Sequence, residues 1–411
     1  MKCTILTVGT EILFGSIVNT NAVFLSKKLN ELGIDVMYHM TVGDNTGRLK
    51  EVLAHAYEDC DLIITTGGLG PTQDDLTKET IAEFFGVRNL RNDEELRKLS
   101  EWFASAGRVM AENNKKQANF PEGAVILNNP NGTAPGFYLE KDGRCIACLP
   151  GPPFEMQPMF TNELAPILST HSDGYLYYRM VRTSGIGESD LETALLPLID
   201  GQTDPTFATY ASKHECSLRV ASKRQTRGEA EAAVEEAMKE VRRLVGKYIY
   251  SEDGEEISHV VLRTLLEKNM SLSCCESVTG GLFAKTVTDM PGISAIFDRG
   301  IVTYSNRAKQ EELGVDPATI EKYGPVSEQT AYEMAEGLYK VTGSDVCVSV
   351  TGLAGPDGDG SDTPVGTVYI GVCFRGETKV FYHFFRRNNR EFVRTGAVSW
   401  MFRDIYSILL N

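Results

Sequence analysis

Three β-branched runs near the start of the chain, Thr4–Val8, Val36–Val42 and Asp61–Thr66, each stop at a glycine, and stretches with apolar residues at helical spacing separate them. Few folds accept that alternation. A strand apolar on both faces must be covered by helices on both sides, which is the doubly wound parallel sheet of an α/β domain. Ala22, Leu25, Leu29 and Leu32 mark the first helix, with Gly33 as its stop, and Arg48 to Tyr57 supplies the second. Ligands of such sheets lie over the carboxyl ends of the strands. There the chain places Thr10, Glu11, Asp44 and the run Gly67-Gly68-Leu69-Gly70-Pro71-Thr72-Gln73-Asp74-Asp75. Gly67, Gly68 and Gly70 let the backbone approach a phosphate closely, and Thr77 opens the helix that follows. Carboxylates beside such a cradle suit a divalent cation such as Mg2+, with Asp44 and Asp75 as ligand candidates. Asp75 reads equally well as a cap for the helix after Leu76. Asn131 and Thr133 are candidates to hold ribose or phosphate, although Asn131-Gly132 is first of all a turn signal.

At 411 residues the chain has room for roughly three domains. Its formal net charge of -15 argues against direct nucleic-acid binding, which needs a basic stripe to displace counterions. Arg386, Arg387, Arg390 and Arg394 form a local basic cluster still usable for one phosphate. The nine cysteines are scattered through strand-like runs, the habit of reduced core thiols. Cys145 and Cys148 form a lone CxxC with no second pair at zinc spacing, so a strand of small apolar residues is the expectation there. No run is long enough to span a membrane and the N-terminus lacks the pattern of a signal peptide, so a cytoplasmic protein is expected.

Leu272 to Cys275 reads as a short strand before Ser277, and Thr279 with Gly280-Gly281 as the start of a helix whose amides would face that hydroxyl. Gly300 to Ser305 reads as a strand delivering Tyr304, followed by Asn306 and, near the start of the next helix, Lys309. A serine needs a base, and the nearest histidines in sequence are His259 and His383. The expected base is therefore Lys309, desolvated and acting directly or through Tyr304. The competing reading is a buried serine, a core tyrosine and a surface lysine that merely share a domain. Val346 to Val350 reads as a buried strand, and Thr351-Gly352 opens a loop of exposed amides, a second natural phosphate site.

Five ordered motifs carry a resemblance in this half: ESVTGG (Glu276 to Gly281), the run from Pro291 to Lys309, YGPVSE from Tyr323, VTGLAGPDG from Val350 and PVGTV from Pro364. Together they resemble the C-terminal domain of the CinA family. The resemblance implies deamidation of nicotinamide mononucleotide, with Ser277, Tyr304 and Lys309 catalytic and no metal. Thr279, Gly280, Gly281, Asn306, Thr351, Gly352 and Arg390 are the substrate-binding candidates, and the Thr351 loop and the Arg390–Arg394 pair compete for the 5'-phosphate. Such domains usually carry Cys at the position of Val278, so here the burden falls on Ser277. The family's Gly-acid-Arg turn corresponds to Asn388-Asn389-Arg390, which lacks the glycine.

The first third resembles the N-terminal domain of the same family through GTEILFGSIVNTNA (Gly9 to Ala22), TTGGLGPTQDDLTKE (Thr65 to Glu79), NGTAPGF from Asn131 and LPGPPFEM from Leu149. That implies the molybdopterin-binding fold and metal-dependent cleavage of ADP-ribose, with pterin binding as the second reading. A divalent cation is implied, with K+ as a further candidate, and Glu11 and Asp74 are both candidates for the base. The middle segment is similar to the family's KH-like α+β insert. It lacks a GXXG loop and has acidic flanks, so a spacer or dimer contact is expected rather than an RNA grip. The boundaries expected are 1–169, 170–253 and 254–411, and a homodimer is implied. The rival from another class is a non-catalytic scaffold acting in competence or the DNA-damage response through protein partners.

Overall fold

The computed structural model describes residues 1–170, 174–212, 215–386 and 389–410; Arg387 and Asn388 lie outside them. By internal contacts the chain forms two compact units, residues 1–177 with 221–233 and residues 178–220 with 234–411.

In the first unit the strands Lys2–Val8, Asp35–Val42, Leu62–Thr66 and Arg144–Leu149 pair in parallel, and Gly136–Lys141 and Val125–Leu127 extend the sheet antiparallel. Alternation along each strand explains the two covers. Ile5 and Ile64 join one apolar cluster with Leu25 and Leu29 of the helix Thr20–Glu31, while Leu6 and Ile63 join another with Leu49 and Leu53 of the helix Thr46–Ala56. Each such buried side chain contributes about 1.5–3 kcal/mol. Asn19 and Asn45 cap these helices by accepting the amides of Ala22 and Arg48.

The middle segment has a four-stranded sheet in the order Thr206–Ala211, Cys216–Arg224, Tyr175–Thr183, Ile249–Ser251, with helices Glu188–Ile199 and Arg227–Val245. The last third has a five-stranded sheet in the order Phe297–Val302, Leu272–Glu276, Val346–Gly352, Thr367–Phe374, Glu377–Phe384. The first three strands are parallel and the last two antiparallel. Cys274 packs on the face covered by the helices Ile257–Glu267 and Arg390–Leu409, and Cys275 on the face covered by Glu328–Thr342. All nine cysteines are buried and unbridged, and Cys145 and Cys148 sit in one strand, as their small apolar neighbours require.

No helix among the described residues is long and apolar enough to cross a membrane.

Candidate functional sites

The strand Leu272–Glu276 lies between two parallel neighbours, and the ladder ends with Glu276 opposite both Val302 and Val350. Just beyond it the Ser277 amide donates to the Val350 carbonyl at 3.0 Å, and the Thr303 amide donates to the Glu276 carbonyl at 2.8 Å. Ser277 is thus fixed by backbone on both sides at the carboxyl edge of the sheet. Lys309 comes from the helix Asn306–Leu313, whose cap Ser305 accepts the Ala308 amide. Its Nζ lies 3.1 Å from Ser277 Oγ and 2.9 Å from the Thr303 carbonyl. The lysine is 1% exposed. Burial lowers its pKa to about 8, and the neighbouring Cys275 thiol only partly opposes that. A neutral amine there donates one N–H to Thr303 and offers its lone pair to the serine O–H.

Two expectations change here. Lys309 reaches Ser277 directly, so Tyr304 is no relay: the strand stops at Val302, Tyr304 is 59% exposed, and its hydroxyl accepts from Arg390 Nη2 at 2.9 Å. The helix mouth is not an open oxyanion hole either. The carboxylate of Glu276, 1% exposed, accepts the amides of Gly281 at 3.0 Å, Phe283 at 3.1 Å and Ala284 at 2.8 Å. Gly280 gives its N–H to the Ser277 carbonyl. The amides of Val278 and Thr279 find no acceptor among the described residues, and the buried Thr279 hydroxyl has no partner. Those groups, beside the nucleophile, are the remaining donors for an oxyanion.

The other predicted residues divide. Arg394 Nη2 donates to the Thr279 carbonyl at 2.6 Å, and Arg390 joins Tyr304 to the Gly355 carbonyl, so one helix face ties together the loops around Ser277. Thr351 is corrected to a packing role, since its buried hydroxyl donates to the Pro325 carbonyl at 2.7 Å. Gly352 is likewise a strand residue paired with Val368, where a Cβ would fall 2.8 Å from the Thr367 carbonyl oxygen. Asn306 is exposed in the first turn of its helix.

In the first unit a cavity of about 560 Å³ opens over the strand ends, and Glu11, Asp44, Gly67, Gly68, Gly70, Asp74, Asp75 and Thr133 all line it. Gly67 has φ +99°, and a Cβ there would collide with the Val8 carbonyl. Thr10, Thr77 and Asn131 are not in the lining and act behind it. Thr10 donates its hydroxyl to Asp44 Oδ2 at 2.7 Å, Thr77 donates to the Gly67 carbonyl at 3.2 Å, and Asn131 donates to the Phe154 carbonyl at 3.1 Å. Asp75 caps no helix, because its Oδ2 turns back to accept the Thr72 hydroxyl and amide at 2.5 and 2.9 Å.

These commitments leave Oδ1 of Asp44 and of Asp75 without a partner among the described residues. One free oxygen from each suits a cation that takes its other ligands from water and substrate. Among the described residues no three His, Cys, Asp or Glu side chains are grouped to hold a metal by themselves. Sequence reading missed Lys116, whose ammonium donates to the Asp75 carbonyl at 2.7 Å, and Glu155, which also lines the cavity. Glu155 lies inside LPGPPFEM, a run valued above only for its resemblance.

A doubly wound sheet whose glycine loop and carboxylates line one cavity is the architecture of a molybdopterin-binding-type domain in the first third, and the last third is an α/β layer carrying a buried Ser–Lys pair. Residues 4–170 match the family model described as "Probable molybdopterin binding domain", 178–251 the damage-inducible protein CinA KH domain, and 254–409 the CinA C-terminal domain. A CinA-like protein of Dictyoglomus turgidum is 47% identical over 377 residues, 92% of each chain. A Clostridium perfringens protein with a provisional competence-damage inducible name is 46% identical over 413 residues, 99% of this chain and 100% of its own. A solved CinA of Thermoplasma acidophilum, whose function is given as unknown, is 32% identical over 41% of this chain and 99% of its own, with a TM-score of 0.38. The chain belongs to the CinA family.

Proposed function

We propose that the chain is a two-site hydrolase of pyridine-nucleotide salvage. The C-terminal site deamidates nicotinamide mononucleotide to nicotinic acid mononucleotide and ammonia, and the N-terminal cleft splits ADP-ribose into AMP and ribose 5-phosphate. The observation that carries the first activity is the 3.1 Å contact between the buried Lys309 amine and the Ser277 hydroxyl. Neutral Lys309 takes the serine proton as Oγ attacks the carboxamide carbon, and the oxyanion is held by donors at Val278 and Thr279. The ammonium of Lys309 then returns the proton to the leaving nitrogen, the C–N bond breaks and ammonia departs. Water, deprotonated by the same amine, adds to the acyl carbon, the bond to Oγ breaks, and the Lys309 ammonium returns the proton to Ser277 as the acid leaves. Arg390 and Arg394 are hydrogen-bonded to the loops around this serine, and they favour a substrate that carries a phosphate.

For the N-terminal activity, Asp44 and Asp75 would hold the cation through their free oxygens. When bound, a divalent cation neutralises diphosphate charge. The glycine loop positions the phosphates, with Thr77 and Lys116 fixing its two ends. The match to a molybdopterin-binding family favours a pterin phosphate as the second occupant of the same cleft.

One assay tests both halves. The full chain should release ammonia from nicotinamide mononucleotide, with or without EDTA, and leave the riboside and free nicotinamide at background. It should cleave ADP-ribose only with a divalent cation present. Equal turnover of the riboside would refute recognition of the phosphate, and cleavage of ADP-ribose in EDTA would refute the cation.

A further inference from the structure

Hydrolysis in the N-terminal cleft requires a group that takes a proton from the attacking water, and neither Glu11 nor Asp74 is built for it. Both side chains are exposed. Glu155 differs in three respects. It lines the cavity that holds Asp44 and Asp75, yet comes from the opposite end of the domain sequence, in the helix Pro153–Met159. Its Oε2 is held by the Asn129 side-chain amide at 2.6 Å, and Asn129 is itself anchored to the Ala134 carbonyl at 3.0 Å, so the carboxylate is oriented by a fixed donor. Space is kept for it by Gly132, where any Cβ would overlap the carboxylate. The second oxygen, Oε1, has no partner among the described residues.

We infer that Glu155 is the general base of the N-terminal site, accepting through Oε1 the proton of the water that attacks the diphosphate. This rests on the hydrolytic reading of the cleft given above. In the step, the water oxygen forms a bond to one phosphorus, its proton passes to Glu155, and the bridging P–O bond breaks. The leaving group departs as a phosphate monoester, and Glu155 later gives the proton to solvent. Burial raises the Glu155 pKa above the usual carboxylate value, with the Asn129 hydrogen bond opposing, which makes it a stronger base than an exposed carboxylate.

The test is Glu155→Gln in the full chain, assayed on ADP-ribose with Mg2+ across pH. Gln keeps the shape and an oxygen for Asn129 but cannot take a proton. Turnover is expected to fall about 10²–10⁴-fold with KM and thermal stability unchanged, and the acidic limb of the pH profile should disappear. Glu11→Gln and Asp74→Asn should retain that limb. A Glu155→Gln enzyme within threefold of wild type, or one whose acidic limb persists, overturns the assignment while wild-type cleavage keeps the hydrolytic reading. Wild type that cleaves no ADP-ribose overturns both together. A loss confined to KM or to thermal stability identifies Glu155 as an anchor of the Asn129–Ala134 turn and overturns the assignment alone.

Discussion

Lys309→Met is expected to cut ammonia release from nicotinamide mononucleotide by about 10³-fold or more, with the fold intact. The reason is steric as well as chemical. Lys309 is enclosed, and Met fills nearly the same volume without a charge to desolvate, so the pocket between Ser277 and Thr303 has no reason to collapse. Ser277→Ala should match that loss. The double variant should be no slower than either single one, because a nucleophile and its base act as one unit and their losses do not add. Ammonia release with a thermal melt of each variant decides it. A Lys309→Met enzyme retaining a tenth of wild-type turnover would mean that another group activates the serine.

The second large effect is structural. Glu276→Ala should destabilise the C-terminal unit by about 3–5 kcal/mol. Its carboxylate satisfies three amides at the start of the helix Leu282–Thr288, and alanine leaves those donors with no protein acceptor in a buried place. Ser277 is the next residue, so activity should fall with stability. Glu276→Gln should be intermediate. One oxygen still accepts from Gly281 and Phe283, but an NH2 then confronts the Ala284 amide. Denaturant unfolding of the three proteins measures this, and a Glu276→Ala protein within about 0.5 kcal/mol of wild type would show that water replaces the carboxylate at no cost.

Much of the fold was legible because its signals are local. Buried β-branched strands, helices with apolar residues every three or four positions and a glycine loop at a strand end are each visible within ten residues or so. The Ser277–Lys309 pairing was legible for a different reason: no histidine lay near the serine, and an amine was the remaining base. What could not be read depended on where a ladder stops. GIVTYS looks like one strand through Tyr304, but its partner strand ends at Glu276, opposite Val302, so Tyr304 swings free to meet Arg390. Glu276 itself looks like any acid at a strand end. Only the fold-back of the Thr279–Gly281 turn reveals that it takes up the amides of Gly281, Phe283 and Ala284 at the helix mouth and leaves those of Val278 and Thr279 for an oxyanion. Asp75 and Glu155 fail in the same way, since their partners Thr72 and Asn129 are set by loop closure rather than by periodicity.

The most direct measurement is the titration of the Lys309 amine in the full chain, by NMR of 13C-labelled lysine with Lys309→Met to assign the signal, beside the pH dependence of ammonia release. Burial disfavours the charged form, so the amine should lose its proton near pH 8, and kcat should rise with pH through that same value as neutral base accumulates. A Lys309 signal still protonated at pH 10 while the enzyme is fully active at pH 8 would contradict the claim that this amine takes the Ser277 proton.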